Sequence, residues 1–79
     1  MKNKKSSKEV KFPENRKISE KLLKGDRVII AKYANLASGT IADMMYGYRR
    51  ITDNVARAII RLMKEREELN ESLQQIINQ

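Results

Sequence analysis

IAKYANLASGTIADMMYGYRR, residues 30–50, places a small residue, a turn-former and several apolar plugs where two helices meeting at a sharp corner need them. Helices that cross closely need a small side chain where they touch, and Ala31 fits that place. The corner needs a residue that accepts positive φ, for which Asn is the best non-glycine choice. Asn35 supplies it, and Leu36 beside it is expected to drop into the core and fix the angle between the helices. Ile41 and Met44, three apart, share one helical face and point to that core, with Met45 adjoining. By elimination, Ser38, Gly39, Ala42, Asp43 and Tyr46 face outward.

Working outward, the corner joins a helix over about residues 27–34 to one over about 38–46. Gly47 ends the second, residues 48–51 connect, and Thr52 or Asp53 caps a fourth helix. Upstream, residues 14–24 read as a short first helix with Ile18, Leu22 and Leu23 on one side. Gly25 is its expected stop, because glycine takes the left-handed conformation without a Cβ cost. Asp26 then reads as the N-cap of the next helix. Val28-Ile29-Ile30 has strand propensity, but its helical neighbours and cap signals outweigh it. Residues 1–12 are polar, lysine-rich and aperiodic, and read as a disordered basic arm. Pro13 marks the boundary of a folded domain over residues 13–65.

The last helix carries apolar residues at Val55, Ile59, Leu62, Leu69, Leu73 and Ile76, in gaps alternating between four and three, with Arg66 in the one missing place. Ala56, Ile60 and Met63 form a second stripe. Two stripes imply two packing partners, one of them outside the domain. Residues 66–79 therefore read as a helical extension for homodimerisation through Leu62, Leu69, Leu73, Ile76 and Ile77; the alternative is that the segment folds back on its own domain or frays.

Composition narrows the function classes. The 79 residues allow one domain with a modest core. With no cysteine and no histidine, the chain lacks a disulfide framework, a thiolate metal site and the commonest general base. No enzyme activity, cofactor, metal or small-molecule substrate is expected. The apolar runs are too short to span a bilayer, and a cytoplasmic location follows. Residues 1–27 carry ten positive and four negative charges, residues 28–66 seven and three, and residues 67–79 three negatives alone. A basic body with an acidic tail suits a polyanion surface.

Ile30-Ala31, Asn35-Leu36, Ile41, Met44 and the closing Gly47-Tyr48-Arg49 make the chain resemble the Cro and lambda-repressor-like (Xre-type) helix-turn-helix DNA-binding domains over about residues 18–63. The resemblance implies an all-α bundle of four to five helices, here with an extended C-terminal helix. It also implies a transcriptional regulator of bacterial or mobile-element type, with residues 38–46 in the major groove of duplex DNA in the nucleoid. Arg27 would meet a phosphate, and Arg49 and Arg50 the flanking backbone; for the last two, ordinary solvated charge is the other reading. The family often has Ser where this chain has Ala37, so capping of the third helix falls to Ser38 or is weak. The outward face is plain, with no Arg, Gln or Asn for bidentate base contacts. Asp43 could accept from a cytosine amine or pair with Arg49 or Arg50; Tyr46 could touch a phosphate or a thymine methyl, or cover the core edge. A protein-interaction module using the C-terminal helix is the alternative function. Structured-RNA binding ranks below both, because the aromatic platform is missing.

Overall fold

A computed structural model describes residues 9–79, which form an all-α chain with helices α1 (Asn15–Ser19), α2 (Asp26–Ala34), α3 (Ser38–Tyr46) and α4 (Asp53–Ile77). Residues 1–8, most of the expected arm, lie outside the described residues. Lys11 and Phe12, read as part of that arm, instead donate their backbone N–H groups to the Gly47 carbonyl at 3.0 and 2.9 Å.

The strand doubt at residues 28–30 resolves as helix, because Ile30, Ala31 and Ala34 bury one face of α2 while Val28 stays exposed. Asn35 ends α2 in the left-handed conformation at φ 59°. The Leu36 N–H then closes the corner on the Ala31 carbonyl at 2.9 Å, a backbone bond that satisfies one of the helix's orphan acceptors. Gly47 ends α3 the same way at φ 92°, with the Tyr48 N–H on the Asp43 carbonyl at 2.9 Å. Leu36 itself departs from expectation: 39% exposed, it lies at the rim. The backbone bond shapes the corner, and Ala31, Ala34, Ile41 and Met45 already fill the space beneath.

The core joins α2 to α3 and α4 through Ile30, Ile41, Met44, Met45, Val55, Ala58, Ile59 and Leu62. Thr52 is the N-cap of α4, its hydroxyl accepting from the Val55 N–H at 3.4 Å. Asn54 Nδ2 donates to the Ala34 carbonyl at 2.7 Å. At the other end of α2, Arg66 reaches Asp26 at 2.7 Å, so α2 and α4 lie antiparallel.

The first helix is shorter than its pattern suggested. Ile18 and Leu23 are exposed and only Leu22 packs against the core, so no continuous apolar face holds a helix beyond Ser19. Residues 20–21 and 24–25 form turns instead, with 22–23 irregular between them. Gly25, expected as the stop of that helix, is the left-handed N-cap of α2 at φ 90°. Asp26, expected as the cap, is the first helical residue and is buried, 1% exposed. Its carboxylate accepts from the Leu23 N–H at 2.7 Å and from both terminal nitrogens of Arg66 at 2.7 and 3.0 Å. The Arg66 hydrogen bonds hold the Asp26 carboxyl below its ordinary pKa against the opposing effect of burial.

The second stripe on α4 divides: Ala56 is half-buried and Met63 packs against the core, whereas Ile60 does not. Ile60 is exposed on the far side of the helix, while Val55, Ala58, Ile59 and Leu62 seal the core. That same face continues past Arg66 as Leu69, Leu73, Ile76 and Ile77, all exposed. Leu62, placed by its heptad position in a dimer interface, is only 6% exposed and belongs to the intramolecular core. The extension does not fold back: residues 67–79 are exposed throughout. Among the described residues, no helix is long and apolar enough to cross a membrane.

Candidate nucleic-acid interface

α3 is held between two left-handed corners and presents a graded surface. Ser38 and Gly39 are exposed, Ala42 and Asp43 half-buried, and Tyr46 exposed. The opposite face, Ile41, Met44 and Met45, is buried. At its N-terminus the cap position is Ala37 in extended conformation, with no side-chain cap hydrogen bond. Ser38, the alternative cap, is already helical. The first N–H groups of α3 are thus left at an exposed surface carrying the positive end of the helix dipole.

Cations gather at the other end of α3, about 12 Å away along a nine-residue helix. The Arg27 guanidinium lies over the Tyr46 ring at 5.0 Å from its centroid and donates to the Ser19 hydroxyl at 3.4 Å. Arg16 Nε donates to the Tyr46 carbonyl at 3.0 Å. The Tyr46 and Tyr48 rings pack at 5.8 Å between centroids, inclined at 51°. Arg49 and Arg50 follow immediately and are exposed. Basic groups here complement the negative end of the helix, while their remaining donors face outward from the exposed arginines.

α1 locks this end. Asn15 Nδ2 donates to the Met44 carbonyl at 2.9 Å and to the Arg49 carbonyl at 2.8 Å. Asn15 and Arg16 were absent from the sequence-based site. Their partners lie 29 to 34 residues away, and no periodicity within residues 14–24 points to α3. The reading of Arg27 is refined: it sits with Tyr46, at the C-terminal end of α3. Of the expected residues, the structure groups Arg27 with Tyr46 directly and sets Arg49 and Arg50 next to them in the chain. Ser38 and Gly39 stand at the opposite end.

A separate cluster lies on α4. The Arg61 guanidinium stacks 3.8 Å from the Tyr33 ring centroid and pairs with Glu65 at 3.3 Å. The Tyr33 hydroxyl donates to Glu65, which raises the Tyr33 pKa and lowers that of Glu65. All three groups are mutually satisfied, and this cluster reads as a surface tie between α2 and α4.

Compared with known proteins, the chain matches no family model, no curated protein and no solved structure. The functional reading therefore stands on these residues and their geometry.

Proposed function

We propose that this chain is a duplex-DNA-binding helix-turn-helix protein of the lambda-repressor-like kind, acting as a transcriptional regulator with α3 in the major groove. One observation carries the reading: α3 is raised behind the Asn35 corner with an uncapped, exposed N-terminus and with Arg16, Arg27, Arg49 and Arg50 about its far end. Helices that enter the major groove contact base edges with their N-terminal residues, here Ser38, Gly39 and Ala42. Small side chains there let the backbone approach closely, and the uncapped N–H groups suit a phosphate or a base acceptor.

Affinity in this reading comes from phosphate contacts and is salt-dependent. Tyr46, fixed by Arg27 and Tyr48, is the one large exposed side chain on the α3 face, so it carries the apolar contact to a thymine methyl or the sugar edge. Asp43 adds no phosphate affinity. The sequence discrimination this face can give is modest, since bidentate donors to bases are missing from it.

Arg49→Ala combined with Arg50→Ala should weaken binding on every duplex tested and flatten the plot of log affinity against log salt by about two units. Affinity and slope both unchanged at low salt would refute the role of this surface. Because both side chains are exposed, the double variant should keep the helicity and melting temperature of the parent.

A further inference from the structure

A helix leaves its last carbonyls without donors of its own, and at the end of α3 a distant stretch of chain, residues 11–16, supplies them. Arg16 Nε donates to the Tyr46 carbonyl at 3.0 Å, and the Lys11 and Phe12 N–H groups donate to that of Gly47. Asn15 reaches further. Its side-chain amide carries two hydrogens. One goes to the Met44 carbonyl within α3 at 2.9 Å, the other to the Arg49 carbonyl in the connection at 2.8 Å. We propose that Asn15 is a positioning residue for phosphate binding. By holding Met44 and Arg49 on one nitrogen, it fixes how Arg49 and Arg50 leave the end of α3 and preorganises both for the DNA backbone. That role rests on the DNA-binding reading of this surface.

Satisfying α3 alone does not explain the contact, because the Met44 carbonyl already accepts from the Gly47 N–H at 3.0 Å. What Asn15 adds is the link to Arg49. That link falls where the chain has least else to hold it. Residues 49–51 lie outside any helix, and both arginines are exposed, so burial does not fix them. The Tyr48 N–H returns to the Asp43 carbonyl at 2.9 Å, but among the described residues no backbone–backbone hydrogen bond involves residues 49–51.

A positioning role has a signature of its own. Asn15 is uncharged and both its amide hydrogens are engaged within the protein, so it contributes nothing to counterion release. Its loss leaves Arg49 and Arg50 able to reach phosphates, at the added cost of ordering them on binding. The salt slope counts phosphate contacts and should therefore stay as it is. Asn15→Ala should weaken duplex binding by roughly fivefold to twentyfold, by the same factor at every salt concentration. The double arginine variant, by contrast, flattens the slope.

Two measurements on the full chain test this. In the free protein, amide-nitrogen relaxation at Tyr48, Arg49 and Arg50 should be as rigid as in α2, and should loosen in Asn15→Ala while α2 and α4 keep their order. Asn15→Asp, whose ionised carboxylate cannot donate, should loosen the same residues. Unchanged relaxation at residues 48–50 overturns the proposal. So does order lost throughout the domain, which would make Asn15 a residue of the fold and not of the site. In titrations of a labelled random-sequence duplex over a range of salt, parallel lines for the parent and Asn15→Ala support preorganisation. Equal affinities, or a slope flattened as in Arg49→Ala with Arg50→Ala, overturn it. A parent that binds no duplex at low salt defeats the DNA-binding reading and the phosphate role with it, and relaxation then decides by itself whether Asn15 orders the arginines.

Discussion

Replacing Arg66 with methionine is expected to lower the melting temperature of the domain by roughly 10–20 °C. Asp26 is 1% exposed and Arg66 closes both of its carboxylate oxygens. Taking away one member of a buried pair leaves an uncompensated charge and costs about 3–5 kcal/mol. The Arg66 side chain is itself 35% exposed, so solvent screens part of the pair's energy; we take about 2–3 kcal/mol, and each kcal/mol moves the midpoint of a domain this size by ~4–8 °C. Asp26→Asn should cost less. It keeps the acceptor for the Leu23 N–H, and the Arg66 left behind can turn to water.

The pH dependence gives the sign. In the parent, Asp26 titrates below its unfolded value because of Arg66, so the folded state binds fewer protons. The pair's stabilisation is present above about pH 4 and is lost as pH falls through the lowered pKa. In Arg66→Met, burial without the guanidinium pushes the same carboxyl upward. The folded state then holds the extra proton, and that group's contribution to stability falls as pH rises above about 4. Thermal melts from pH 3 to pH 7 should show the gap between parent and variant widening toward neutrality. A constant gap would mean that Asp26 does not titrate against Arg66.

Gly47→Ala is expected to destabilise by about 2–4 kcal/mol, from left-handed strain and displaced backbone hydrogen bonds together. Gly47 sits at φ 92°, and a Cβ there would lie 2.7 Å from the Phe12 carbonyl oxygen and 3.1 Å from a Val10 methyl. The obstructing atom is backbone, so relief requires moving the segment whose Lys11 and Phe12 N–H groups bond Gly47. Gly25→Ala is the internal control. Gly25 has nearly the same φ of 90°, but a Cβ would meet nothing within 4 Å, so only the conformational strain of ~1–2 kcal/mol remains. Equal losses in chemical denaturation would show that the N-terminal segment is not docked on α3. The consequence for the site is direct, since Gly47 separates Tyr46 from Arg49 and Arg50.

Gly47, with Asn35, also marks where the sequence was readable. Asn35 and Gly47 were identifiable because their constraint is local: a backbone that must reach positive φ admits few residue types. α2 and α3 were bounded within a residue for the same reason. Ile41 and Met44 followed from helical spacing, and both are buried. Asp26 was misjudged because its type and place suit a cap, whereas its partner Arg66 stands 40 residues on. Nothing within a short window of sequence reports a pair that distant. The same limit hid Asn15 and Arg16. Leu36 failed differently: apolarity marked it for the core, but the corner is closed by backbone bonds and needs no plug. On α4, heptad spacing found the apolar face correctly but could not say where the domain stops covering it. That boundary, at Arg66, is set by the length of α2.

The arrangement as a whole gives α3 two unlike ends, one bare and small, the other ringed by arginines. The most direct measurement of the DNA-binding claim is the fluorescence anisotropy of a labelled random-sequence duplex titrated with the intact protein at about 50 mM and about 200 mM salt. Four arginine–phosphate contacts per protomer predict clear binding at the lower salt and a loss of roughly a hundredfold at the higher. No binding at the lower salt with high-micromolar protein, or an affinity indifferent to salt, would contradict the claim.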